Sequence, residues 1–229
     1  MSELRLITWN CNQRLEAKFE RINALGPDIA VIQECEKLPP KFFPNAHYLW
    51  VGQNEKKGLG VLIFGATGTI NPTYESSFIE FLPVDTDFGS ILGVWAFNHR
   101  AERRYGKGFD GRSSSAIAHY QNFLDIETTL GAVGDFNNSV IWDASNPKTP
   151  FEETIKQLGT CGLISAYHND RGEEFGAENE ASLYHTKNRE KTYHIDYLFL
   201  RHSGKVTLGS FDDWIRDSDH VPIIIDLNL

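Results

Sequence analysis

Five short segments place oxygen or imidazole side chains directly after apolar, strand-like runs. They are Thr8-Trp9-Asn10, Gln33-Glu34, Gly134-Asp135-Phe136-Asn137, His194-Ile195-Asp196-Tyr197 and Ser218-Asp219-His220. Carboxylate and amide oxygens suit a hard divalent cation, and an imidazole can hold or protonate a phosphate. The set Glu34, Asp135, Asp219, Asn10 and Asn137 contains no thiolate, so it favours Mg2+ or Mn2+ over zinc. Glu34 ends an apolar run, where a carboxylate is poorly solvated unless it meets a cation. Asp135 and Asn137 flank Phe136 and share a face if the extended chain continues past the strand. Each piece alone has an ordinary reading as a turn or strand-end residue. Their joint occurrence points to metal-assisted hydrolysis of a phosphoester.

Such side chains need strands that end together. Leu4 to Trp9 reads as a buried strand. Leu15, Phe19 and Ile22 form one helical stripe closed by Gly26-Pro27, and Asp28 to Glu34 is a second buried strand. Tyr48 to Gly52, Gly60 to Phe64 and Ile91 to Phe97 are further strands, and Thr69 to Leu82 is strand-like but interrupted by Pro72. A helix is predicted from about Ser113 to Leu130, with Ile117, Tyr120 and Leu124 inward and the Ser113–Ser115 run as its cap. Ala132 to Asp135 is a short strand, and Phe151, Ile155 and Leu158 mark another helix. The acidic stretch Asp170 to Glu180 reads as a solvated loop. Tyr193–Leu200, Val206–Phe211 and Val221–Leu227 return to strands. Helices between strands indicate a single α/β domain over 1–229, with helices on the outer faces of packed sheets.

Composition narrows the function classes. Hydrophobic residues make up 41% and charged residues 23%, so a packed core is expected. The net charge of −9 argues against a global electrostatic clamp on duplex DNA, although a local cationic patch is compatible with it. Cys11, Cys35 and Cys161 are odd in number and widely spaced, without a CxxC pair, which argues against a disulfide framework or a thiolate zinc site and favours a reducing interior. The sequence shows no leader and no long apolar span, so a cytoplasmic protein without membrane contact is expected, and no obligate protein partner is evident.

The ordered set Thr8-Trp9-Asn10, Ile32-Gln33-Glu34, Gly60 to Phe64, Gly134 to Asn137, Ile195-Asp196-Tyr197 and Ser218-Asp219-His220 resembles the endonuclease/exonuclease/phosphatase (DNase I-like) superfamily. The resemblance implies a four-layered α/β/β/α sandwich of two packed mixed sheets with outer helices. It implies that Glu34 is the principal metal ligand, with Asn10 and Asp219 near the same cation. Asp135 and Asn137 would position the attacking water, and His220 would contact the phosphate or shuttle a proton, oriented by Asp196. An aspartate behind a histidine fixes its tautomer and stabilises its charged form, which supports that division independently. Whether Asp135 or the His220–Asp196 pair acts as general base is left open by the sequence.

Phe97-Asn98-His99 resembles the non-abasic branches of the superfamily, which implies that His99 holds phosphate. Arg100, Arg103, Arg104, Lys107 and Arg112 outnumber Glu102 and Asp110, with Tyr105 and Phe109 interleaved; His185 to His194 adds Lys187, Arg189 and Lys191. These loops suit phosphates flanking the scissile one, with Arg100, Arg103, Arg104 and Lys187 as substrate-binding candidates. The function expected is Mg2+-dependent hydrolysis of nucleic acid, DNA first, by direct attack of water, with Mn2+ able to substitute. The rivals are a phosphatase for a small or lipid-linked phosphate such as an inositol phosphate, a 5′-tyrosyl-DNA phosphodiesterase, and a catalytically silent scaffold.

Overall fold

A computed structural model describes residues 3–78, 80–98 and 106–228. The first strand, β1 (Glu3–Asn10), is followed by helix α1 (Leu15–Asn23) and by β2 (Ile29–Cys35), which lies parallel to β1. The hairpin of β3 (Ala46–Asn54) and β4 (Lys57–Phe64) adds to β2. From the far end of the chain, β14 (Ile223–Asn228) pairs antiparallel with the other edge of β1, and β13 (Gly204–Leu208) lies outside it. The second sheet runs β5 (Gly68–Ile70), β6 (Phe81–Thr86), β7 (Gly89–Trp95), β8 (Thr129–Asp135), β12 (Asp196–Leu200) and β9 (Ile164–Ser165). In it β7 and β8 are parallel and β12 is antiparallel to β8. A small hairpin, β10 (Leu183–Tyr184) and β11 (Thr192–Tyr193), stands apart from both sheets.

Two-residue periodicity sorts these strands into layers. In β1, Leu4 and Leu6 enter the core between the sheets, whereas Ile7 and Trp9 pack with Leu15, Phe19 and Ile22 of α1. In β12, Leu198 and Leu200 face inward, whereas Tyr197 and Phe199 pack with Ile117 and Leu158 from the helices on the other side. Those helices are α2 (Ser113–His119), α3 (Gln121–Leu124) and α4 (Phe151–Thr160). The result is the four-layered α/β/β/α sandwich that the motifs implied. No helix among the described residues is long and apolar enough to cross a membrane.

Several local expectations are corrected. The helix predicted from Ser113 to Leu130 is broken at Tyr120 into α2 and α3 and is over by Leu124; the β-branched Thr129 already starts β8, and its hydroxyl caps the Phe123 carbonyl at 2.8 Å. Its cap is not the serine run: Asn98 Oδ1 accepts from the Ser113 N–H at 3.0 Å and hydroxyl at 2.9 Å. Between Ile70 and Phe81 the chain turns rather than extends, with Asn71 capping Thr73. Past Leu208 the predicted strand gives way to a short helix, α6 (Phe211–Trp214), capped by Ser210. A helix absent from the sequence reading, α5 (Ala166–Arg171), precedes the acidic stretch. That stretch is not simply solvated: Glu178 is buried against His168 Nε2 at 3.1 Å, and Glu173 accepts from the Tyr167 hydroxyl at 2.8 Å.

Candidate active site

Strand directions bring the motif residues to one edge. β1, β2 and β8 end there, at Asn10, Glu34 and Asp135. β12 runs the other way and begins there, at Asp196, and His220 lies just before β14, which is also reversed. Asp196 stands directly opposite Asp135 in the β12–β8 register, so two buried carboxylates face the same side of one sheet. His220 joins them, its Nδ1 on Asp196 Oδ2 at 2.8 Å. Ligand atoms of Asp135, Asp196 and His220 lie within 4.8 Å of one another.

The electrostatics follow from that crowding. Burial pushes the Asp135 carboxyl up, and the neighbouring Asp196 charge pushes it further, to about 7. Burial alone would push His220 down, but the charge and hydrogen bond of Asp196, with Asp135 and Asp219 behind it, outweigh that and raise it to about 10. Near neutral pH His220 is therefore an imidazolium while Asp135 stands close to its midpoint. With Nδ1 engaged, Nε2 is the nitrogen left to meet a substrate.

Neighbouring amides fix Asp135 from both sheets. Asn10 Nδ2 donates to its Oδ2 at 3.0 Å, a bond from one sheet to the other. Asn137 does not continue the strand: it turns into the left-handed region (φ 46) and donates its backbone N–H to Asp135 Oδ1 at 2.8 Å and its amide to Oδ2 at 3.1 Å. Asn137 and Asp135 thus meet through a turn rather than by strand alternation. Asn98 braces this turn by donating to the carbonyls of Phe136 at 2.6 Å and Asn137 at 3.2 Å. Ser218 ties the last motif to the first, donating to the Asn10 carbonyl at 2.7 Å and accepting from the His220 N–H at 3.1 Å.

Glu34 reaches the site through a β-bulge. The pairing of β2 with β4 skips a residue between Gln33 and Cys35, and Glu34 takes φ 59, a conformation that a non-glycine side chain adopts only where the surroundings demand it. Its carboxylate lies 2.7 Å from the Lys57 ammonium, which also sits 5.3 Å from the Trp95 ring centre. Glu34, Asn137, Trp95 and Asn98 line one cleft of about 1030 Å³.

Of the residues expected to hold the metal, Asn10 is inside the Asp135 cluster and Asp219 is half-buried and near enough to bias His220. No hydrogen bond or ion pair among the described residues joins the Glu34 carboxylate to either. His99, Arg100, Arg103 and Arg104 lie outside the described residues. Lys187 is exposed and donates to the Arg216 carbonyl at 3.1 Å. A divalent cation fits the donors present. They are oxygens of hard character, Asp196 Oδ1 is buried without a hydrogen-bond partner, and Glu34 already holds a cationic group.

Sequence reasoning missed Lys57 and Lys18. Lys18 is a buried helix residue whose ammonium donates to the carbonyls of Cys11 at 2.5 Å, Gln13 at 2.7 Å and Asp217 at 2.7 Å. It ties the loop after Asn10 to the loop before Asp219. Its position one residue off the apolar stripe of α1 is the only sequence signal for that role.

No family model and no curated protein sequence matches the chain. Solved structures do match. The 3′-5′ exonuclease NExo from Neisseria meningitidis superposes with a TM-score of 0.70 at 17% identity, over 99% of this chain and 100% of that one. A structure titled 3′ phosphatase NExo from Neisseria, bound to product DNA hairpin, gives 0.72 at 17% identity and the same coverage. The endonuclease domain of TRAS1, a telomere-specific non-LTR retrotransposon, gives 0.66 at 14% identity, over 100% of this chain and 99% of that domain. All have the DNase I-like fold of the endonuclease/exonuclease/phosphatase superfamily, and this chain has that fold too.

Proposed function

We propose that this protein is a divalent-metal-dependent phosphodiesterase that hydrolyses nucleic acid, DNA first, by direct attack of water. The observation that carries the reading is the buried Asp135–Asp196–His220 cluster at the edge where both sheets end. A general base works best with a pKa near the working pH, and Asp135, at about 7 and held by Asn10 and Asn137, is assigned that part. His220, kept protonated by Asp196, donates from Nε2 to a phosphoryl oxygen or to the departing oxygen. Asn137, exposed at the cleft surface, orients the water or a phosphate oxygen. Glu34, Asn10 and Asp219 are the residues assigned to Mg2+, with Mn2+ a substitute; the bound ion would neutralise charge that develops on the phosphoryl group.

The cleft, at about 1030 Å³, has room for more of a substrate than the scissile phosphate alone. The structural neighbours whose titles name an exonuclease, a 3′ phosphatase on a DNA hairpin and an endonuclease point the same way.

The test is a substrate panel with Mg2+, Mn2+ or EDTA: single-stranded, duplex and abasic DNA, RNA, 5′-tyrosyl DNA and inositol phosphates. Hydrolysis of a DNA substrate is expected with either metal and none in EDTA, and Glu34→Gln and His220→Ala are expected to be inactive with unchanged circular dichroism. Full activity of His220→Ala, or activity confined to inositol phosphates, overturns the reading.

A further inference from the structure

The cleft that contains Glu34 is also lined by Trp142 and Tyr193, and the reaction proposed above makes no use of them. A single 3-10 turn, Val140–Trp142, begins three residues after Asn137. It is held firmly: the Trp142 N–H donates to the Ser139 carbonyl at 3.1 Å and the Asp143 N–H to the Val140 carbonyl at 3.1 Å. The Asp143 carboxylate in turn accepts from the N–H groups of Phe151 at 2.7 Å and Glu152 at 3.1 Å, which pins the turn to α4. Trp142 leans on Tyr193 of the β10–β11 hairpin, with ring centres 5.1 Å apart and planes at 53°. Both rings are half-buried and both line the cleft that contains Glu34 and Asn137.

The same hairpin carries Lys191, an ammonium, and His185, whose ring N–H can donate to a phosphate oxygen. His185 and Lys191, both exposed, line the cleft and are joined by a backbone hydrogen bond of 2.8 Å from His185 N–H to the Lys191 carbonyl. Two aromatic faces beside an ammonium and an imidazole, at the edge of a phosphate-handling site, match a base with its adjoining phosphate. A hydrated inorganic ion would find no use for the rings, and an apolar ligand would find none for the Lys191 ammonium. In a continuous duplex each base face is already covered by its neighbours, so only an unpaired base can lie on these rings.

We propose that Trp142 and Tyr193 form a stacking subsite for one unpaired nucleobase next to the scissile phosphate. The substrate is then a nucleic acid that is single-stranded or frayed at the site. This rests on the phosphodiesterase reading above. His185 and Lys191 take the phosphate that follows the stacked base. Stacking of one base on an aromatic side chain contributes about 5- to 150-fold in affinity.

The test compares kcat/KM of the full chain, with Mg2+, on two single-stranded oligonucleotides that differ only by one abasic position beside the cut linkage. Wild type is expected to prefer the base-bearing strand. Trp142→Ala is expected to lower that preference about 5- to 150-fold, with Trp142→Phe between the two. Ile126→Ala, which alters an exposed apolar side chain at the opposite end of β8, leaves the ratio as in wild type. In EDTA, 2-aminopurine at the stacked position should lose fluorescence on binding wild type and much less on binding Trp142→Ala. An unchanged ratio and unchanged quenching in Trp142→Ala overturn the subsite while hydrolysis persists. A wild-type protein that cleaves no oligonucleotide overturns the phosphodiesterase reading, and the subsite with it.

Discussion

Asp196→Asn isolates the electrostatic logic of the site, because the amide keeps the shape of the carboxylate and removes its charge. In the native protein the imidazolium of His220 is held from 6.5 up to about 10, about 5 kcal/mol of net favourable field. After the opposing effect of burial, Asp196 is the leading contributor, through both its charge and the 2.8 Å bond. Loss of one opposite charge at hydrogen-bond distance moves a pKa by about 1–3 units, so His220 in the variant should lose its proton between about pH 7 and pH 9. Asp135 responds in the same direction, since the Asp196 charge is second only to burial in holding it near 7. Both limbs of the kcat/KM profile should therefore shift to lower pH, and the maximum should fall about 10²- to 10⁴-fold. The assay pairs a pH series of heteronuclear NMR spectra on 13C-histidine-labelled protein with the pH–rate profile. If His220 still titrates near 10 and neither limb moves, the assignment of acid and base is wrong.

Three further outcomes test the frame around the site. Lys18→Met leaves three carbonyls without their shared ammonium and should cost about 2–4 kcal/mol in a urea melt, with a lower kcat because the loops bearing Asn10 and Asp219 lose their tether. Gly134→Ala is expected to give little folded protein: its φ of 151 is closed to side chains, and a Cβ there would overlap the Val94 carbonyl oxygen, so soluble yield and melting temperature are the readout. Burial raises Cys11 well above its ordinary value and Cys35 to about 12, so an aromatic disulfide reagent near pH 8 should leave both unmodified until the protein is unfolded.

Much of the site was legible because its residues sit at the ends of strands with clear apolar runs. Leu4 to Trp9 and Asp28 to Glu34 could be read without coordinates, and strand direction then brings Asn10 and Glu34 to one edge. Glu34 itself was found for an incomplete reason. Simple alternation would send it to the α1 side with Ala30 and Ile32, and the bulge that returns it to the cleft depends on β4 pairing that no local pattern encodes. Asn137 was paired with Asp135 by assuming continued extension, whereas a left-handed turn does the work. Lys18 and Lys57 were invisible because their partners are distant carbonyls and a carboxylate across a strand pair. The cap of α2 was misread for a similar reason: local serines are the usual caps, but Asn98 arrives from the β7 side and connects that helix to the turn at Asn137.

Pairing of β1 with β14 has a consequence for how the molecule comes into being. Within the domain, β1 has one edge unpaired until β14, more than 200 positions further on, reaches it, so folding is dominated by a sequence-distant closure and should be slow. His220 lies just ahead of that closing strand and Asp196 only 24 positions earlier, so the closure that pairs β14 with β1 also carries the His220 imidazole to its place.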